Sequence, residues 1–257
     1  MKRSLFLLCA VFFLSGGLAG RTILDTAEAQ FREGRWLPAA ALARCDDSAA
    51  GFALAARSTL VAASLTADKR RRERLLDLAI RDVEKALERD PDHLEARLQA
   101  AAAYGFRAQV RRAANDVRRS RDHVERALAL APDDPLVLAA RGYWHGRTVL
   151  GAGSFFARIF FGARRKKAIA AFEAALARAP ENLIIRVGFG RMLLRFEDAQ
   201  DSERGLAELA RAMSLPARTA LEREMKRQAA LLLDRARKGA DRHQLARLAD
   251  RLAPFAD

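Results

Sequence analysis

The chain has 257 residues, 51% of them hydrophobic, with 46 lysines and arginines against 32 acidic residues and a formal net charge of +14. That length and apolar content exclude a disordered tail and suffice for one continuous core. Arginine outnumbers lysine 39 to 7, a balance that in a cytoplasmic protein would suggest nucleic acid. Spread through the chain as it is, it reads instead as solvation of outer helix faces, with local clusters only at Lys69–Arg72 and Arg164–Lys167.

Lys2 and Arg3 precede the apolar run Leu5–Leu14, and the small residues Ser15, Gly16, Gly17 and Ala19 follow it. This order predicts a signal peptide over 1–19, cleavage after Ala19 and export to the periplasm. The run is shorter than the roughly 20 residues of a membrane span; the alternative is an uncleaved amino-terminal anchor in the inner membrane. Cys9 lies inside the leader without the Leu-small-small-Cys order of a lipoprotein signal. Cleavage leaves Cys45 alone, so no intramolecular disulfide is expected. Cys45 reads as a small apolar residue ending an alanine-rich helix, since no motif sets a histidine beside it.

From residue 20 onwards alanine, leucine, arginine and glutamate dominate, and no alternating apolar runs mark strands. One pattern recurs: Ala79, Val83, Ala86, Pro91; Ser120, Val124, Ala127, Pro132; Ala168, Phe172, Ala175, Pro180. Offsets of four and then three keep three residues on one helical face. The outer two are small, so a neighbouring helix can approach closely, and the proline ends the helix. A weaker copy is Gly205, Leu209, Ala212 and Pro216. Asp92, Asp134 and Asn182 are predicted N-caps, with Pro135 at the favoured first helical position. About twelve helices in six hairpins are expected.

These positions resemble the tetratricopeptide repeat family, whose second helix carries the same small–large–small–proline signature. Ala101 and Tyr104 fall at that family's first-helix small and tyrosine positions, and Gly142 and Gly190 at its small position. Gly34-x-Trp36-x2-Ala39 resembles the turn into a second helix. The resemblance covers about residues 25–216 and is clearest over 79–194. The prolines, however, are 41 and 48 residues apart, against a family period of about 34. The first excess equals about two helical turns, one for each helix; the second holds a separate element.

The resemblance implies an all-α fold, an α-solenoid of stacked antiparallel helical hairpins over 20–257, whose first helices line a concave groove for extended peptides. Carried over position by position, it selects Leu98, Phe106, Tyr143, Arg147, Arg191 and Arg195 as groove residues, an apolar trough with an aromatic and arginine end. The lysine and asparagine with which chaperone-binding members grip a terminal carboxylate are missing: Leu98, Ala102, Ala139, Tyr143, Val187 and Arg191 stand there. Arginine forks suit carboxylates, so the expected partner is acidic or amphipathic. The plainer reading packs Tyr143 between helices and turns the arginines to solvent.

The second excess contains Gly151-Ala-Gly-Ser-Phe-Phe-Ala-Arg-Ile-Phe-Phe-Gly162, an insertion of about residues 150–165. Phe155, Phe156, Phe160 and Phe161, followed by Arg164–Lys167, describe either a short interfacial membrane helix or a flap over the groove. Packing against the fold is the expectation, because large exposed apolar patches are rare.

His93, His123, His145 and His243 lack zinc-ligand spacing, and no phosphate loop, nucleophile elbow or metalloprotease motif occurs. Tyr143-Trp144-His145 reads as core. No catalytic residue, cofactor or metal is therefore predicted. The expectation is a non-catalytic periplasmic scaffold or adaptor that contacts another envelope protein or an acidic peptide, not nucleic acid. Two alternatives stand beside it. One is a small-molecule or lipid-binding component associated with a transport system, similar in layout to exported repeat proteins of tripartite solute transporters. The other is a membrane-surface protein.

Overall fold

The computed structural model describes residues 22–255; the predicted leader, with Cys9 and the cleavage position, lies outside the described residues. Thirteen α-helices and no strands occur among them. In chain order these are α1 (Ile23–Glu33), α2 (Trp36–Arg44), α3 (Ala49–Ser64), α4 (Lys69–Arg89), α5 (Leu94–Arg111), α6 (Ala114–Leu130) and α7 (Pro135–Ala152). Then come the three-residue α8 (Ser154–Phe156), which runs into a π-helical turn (Ala157–Phe161), and α9 (Arg165–Arg178), α10 (Leu183–Arg195), α11 (Ala199–Ser214), α12 (Ala220–Arg237) and α13 (Arg242–Arg251). The second proline excess therefore does hold its own element, and α5 and α6 take up the first with 18 and 17 residues.

Local chemistry sets the helix ends. Pro91, Pro132, Pro180 and Pro216 each stand two residues beyond the last residue of a helix, where a missing N–H and a fixed φ prevent continuation. Asp134 and Asn182 cap α7 and α10 as expected, accepting from the N–H of Val137 and Ile185 at 3.0 Å each. The cap of α5 is His93 instead of Asp92: His93 Nδ1 accepts from the Ala96 N–H at 3.2 Å. Asp92 is drawn away, its N–H donating to Asp90 and its carboxylate accepting from Arg126 at 2.6 Å.

Each helix packs on its neighbour in sequence, and α3, α5, α7 and α10 also touch one another in a row, giving a solenoid-like helical array. The recurring small–large–small residues are the contact face: Ala79, Val83, Ala86, Ala127, Ala168, Phe172, Ala175, Leu209 and Ala212 are wholly buried. Glycines let these faces approach closely. A Cβ added to Gly142 would lie 2.7 Å from the Phe172 ring, and one on Gly190 would lie 2.9 Å from the Gly205 carbonyl oxygen.

Alanine contacts bury little area per residue, and arginines add ties between helices, some of them between helices that do not pack directly. Arg44 of α2 donates to both Asp82 oxygens on α4 at 2.9 and 2.7 Å. Arg107 of α5 forks onto Asp116 of α6 at 2.8 and 2.7 Å, and Arg165 of α9 reaches Asp201 of α11. Arg186 of α10 pairs with Glu208 of α11. All four carboxylates are buried, and charge-paired forks of this kind fix orientation as well as contact.

The last hairpin does not extend the row. Helix α12 packs on α10 and α11 and returns to α1. Ala220 comes so near Gly34 that a Cβ there would lie 2.9 Å from it, and Leu221 packs among the side chains of α1 to α3. Helix α13 lies on α10 and α12.

Two predictions follow from this packing. Ala175→Arg forces a long cation into a contact with no free volume and should cost several kcal/mol, on the order of 3 or more; an unchanged thermal unfolding curve would refute the contact face. His145, buried on α7 with its ring against Trp144, has its pKa lowered to about 4, first by burial and then by Lys167, Arg141 and Arg121. The unfolded chain binds this proton near pH 6.5, so stability is full above that pH and is lost as pH falls towards 4. His145→Gln should remove about 2–3 kcal/mol of that acid sensitivity, read from denaturant midpoints at pH 7 and pH 4.5.

Candidate functional site

Five of the six predicted groove residues converge. Helix α5 supplies Phe106, α7 supplies Tyr143 and Arg147, and α10 supplies Arg191 and Arg195. Leu98 is half-buried two turns earlier on α5 and stands apart from them. Tyr143 lies between helices, its ring edge-on to Phe172 with centroids 4.9 Å apart. Its hydroxyl oxygen would be 1.5 Å from a Cβ on Gly188, so glycine there makes the room.

The open groove expected from the sequence is filled by the chain's own end. Arg191 is buried and donates to the Leu252 carbonyl at 2.8 Å and to the Gln228 side-chain oxygen of α12. Arg147 lies 4.9 Å over the Phe106 ring and donates to the Pro254 carbonyl at 3.4 Å. Gln109 donates to the Phe255 carbonyl at 3.0 Å. Phe255 stacks on Phe106 at 4.4 Å and is 1% exposed. Arg195 pairs with Asp250 of α13 at 2.5 Å. Phe255 holds this place with φ at +61°, a left-handed backbone that costs a non-glycine residue about 1–3 kcal/mol; burying its ring offsets that cost.

Electrostatically the site is short of negative charge. Burial, then repulsion from Arg195, lowers the Arg147 pKa to about 9. Burial likewise lowers Arg191, partly offset by Tyr143, and raises the Tyr143 hydroxyl. The carboxylates that act on these arginines are Asp250, which is mostly exposed, and Glu224, which is already bound by Arg227 and Gln228. Neutral main-chain carbonyls therefore serve as acceptors for cations that would favour anions. Gln109, Gln228, Asp250, Leu252, Pro254 and Phe255 escaped the sequence reading; the available signal was the apolar Leu-Ala-Pro-Phe that follows the last helix.

A second cleft, of about 310 Å³, lies between α4, α5 and α6 and is lined by Glu84, Glu88, Tyr104 and His123. The Tyr104 hydroxyl donates to Glu84 at 2.8 Å, and the His123 ring stacks on Tyr104 at 5.5 Å. Burial and the nearby Arg97 lower the His123 pKa to about 4, which leaves it a neutral acceptor for the Arg97 guanidinium at 3.1 Å. Glu84, Tyr104, His123 and Arg97 are thus each engaged by another of these groups. Among the described residues no group of three or more His, Cys, Asp or Glu side chains could hold a metal ion. Cys45 is exposed at the end of α2, its thiol 3.6 Å from the Ala41 carbonyl oxygen.

The insertion departs from the packed flap expected of it. Phe155, Phe156 and Phe160 are exposed, together with Ile159, while Phe161 is half-buried against the core of α6 and α7. No described helix is long and apolar enough to cross a membrane.

No curated protein matches the chain. A family model, "Regulator of microtubule dynamics protein 1-3", matches residues 42–237, and no tetratricopeptide model does. The tetratricopeptide assignment is thereby overturned. Its residues are buried as that resemblance required, yet small–large–small faces ending in proline are what any closely packed helix pair needs, and the spacings of 41 and 48 residues belong to this chain's own pattern. With three quarters of its length matched by the model, the chain belongs to the regulator of microtubule dynamics protein 1-3 family.

Proposed function

We propose that the chain is a non-catalytic interaction protein, a scaffold or adaptor that holds an extended segment of a partner against the row formed by α5, α7 and α10. The reading is carried by the way the chain holds its own end there: three main-chain carbonyls, of Leu252, Pro254 and Phe255, each accept from a side-chain donor, and one aromatic ring is buried. Main-chain carbonyls are common to every peptide, so these donors suit any extended segment. Specificity comes from the aromatic pocket at Phe106 and from Arg195, which favours an acidic residue several positions earlier. The partner in this reading is another envelope protein or peptide with an acidic residue upstream of an aromatic one.

Export to the periplasm rests on the sequence of residues 1–19. The arrangement of helices as stacked antiparallel hairpins is supported by connections of two to five residues everywhere outside the insertion. The family's description as a regulator suits a protein that works by binding.

An incoming segment must displace the tail, so self-occupancy weakens apparent affinity by the fraction of chains that are open. A labelled peptide with the sequence of residues 250–255 should bind a Phe255→Ala chain at least about tenfold more tightly than the unaltered chain. Adding Arg195→Gln should return binding to the unaltered level. Equal binding to all three chains, or binding to none, would count against the groove.

A further inference from the structure

We infer that the insertion between α7 and α9 is a membrane-docking knob that seats its phenylalanines in the interfacial region of an anionic bilayer. Phe155, Phe156, Ile159 and Phe160 are 55–61% exposed and adjoin one another: Phe155 meets Phe156 edge-on at 5.6 Å, and Phe156 stacks on Phe160 at 5.8 Å. Four large apolar side chains clustered on solvent are a surface that calls for an occupant.

The knob is held firmly from beneath. Ala157 and Ala163 are wholly buried in one cluster with Val124, Trp144 and Val149, and the Ala163 N–H donates to the Ala157 carbonyl at 3.0 Å. Phe161 packs on the same cluster, with the Arg118 guanidinium 5.9 Å over its ring. Gly153 and Gly162, with φ of +77° and +70°, let the chain leave and rejoin the body at the two ends of the element. The rings are thus presented by an anchored platform, and ordering them at a surface costs little further entropy.

Charge complementarity selects the occupant. No Asp or Glu occurs between Asp134 and Glu173, while Arg158, Arg164, Lys166 and Lys167 lie among and just after the rings in the sequence. These four cations are exposed or nearly so and form no ion pair among the described residues. Arg165, between them, is instead committed to Asp198 and Asp201. The arginines that tie the helices together each face a carboxylate, and this segment is the contrast: exposed apolar rings with unpaired cations beside them in the sequence. That pairing matches acyl chains beneath anionic headgroups, where one feature supplies partition and the other attraction.

The test uses the full chain with phosphatidylcholine vesicles, with and without about 30% phosphatidylglycerol. Wild-type chain should bind the anionic vesicles at least tenfold more tightly than the neutral ones and lose that binding as salt rises from about 50 to 500 mM. A chain with Phe155, Phe156, Ile159 and Phe160 all replaced by serine should melt at an unchanged temperature and bind at least tenfold more weakly. Both chains carry the same first 21 residues, so the difference reports the knob. Phe156→Trp should in addition be quenched by brominated phosphatidylglycerol. Equal vesicle binding by wild type and the serine variant, no binding by either, or an unquenched Trp in the bound chain would overturn the assignment. An oligomer of the wild type that the serine variant loses, without vesicle binding, would assign the surface to protein contact and overturn it as well.

Discussion

Close approach between helices at alanine and glycine is the constraint on which the rest of this structure depends. Where Gly190 faces Gly205, or Gly142 lies under the Phe172 ring, not even a methyl group fits. Such contacts are dense but slippery, because small side chains interlock little and bury little area. Buried carboxylates gripped by arginine forks supply the missing register: Arg44 to Asp82, Arg107 to Asp116, Arg165 to Asp201 and Arg186 to Glu208 each join two helices. Removing one member of such a pair strands a buried charge, which makes each pair a specificity device more than a net source of stability.

Two groups of basic side chains stand apart from these buried pairs. Arg147, Arg191 and Arg195 collect where α5, α7 and α10 face the last hairpin, and they take carbonyls, Gln228 and Asp250 in place of buried carboxylates. Arg158, Arg164, Lys166 and Lys167, all exposed, lie among and just after the exposed rings of the insertion in the sequence. The first surface is occupied by the chain's own end and the second is bare.

Much of the fold was legible because helix packing writes itself locally. The offsets of four and three that place Ala168, Phe172 and Ala175 on one face, and the proline that follows, are dictated by a single helix turn and its stop. The cap of α5 was misread by one residue because Asp92 has a distant partner, Arg126, that no local pattern shows. The family was misread for the converse reason: the same local packing rule serves more than one helical family. The packing of the last hairpin over α5, α7 and α10 was not legible, since the return of α12 to Gly34 and the seating of Phe255 on Phe106 join positions far apart in sequence. The exposed rings of the insertion ran against the usual burial of phenylalanine, and such reversals are where function tends to sit.

The last hairpin closes over the groove and returns to the start of the array. Spin labels at the exposed positions Glu33 and Arg223, with Cys9 and Cys45 replaced by serine, measure that closure through their dipolar coupling. A closed molecule gives one short, narrow distance between the end of α1 and the start of α12. A long or broad distribution would mean that α12 does not return to α1, and would contradict both the closure and the self-held groove that depends on it.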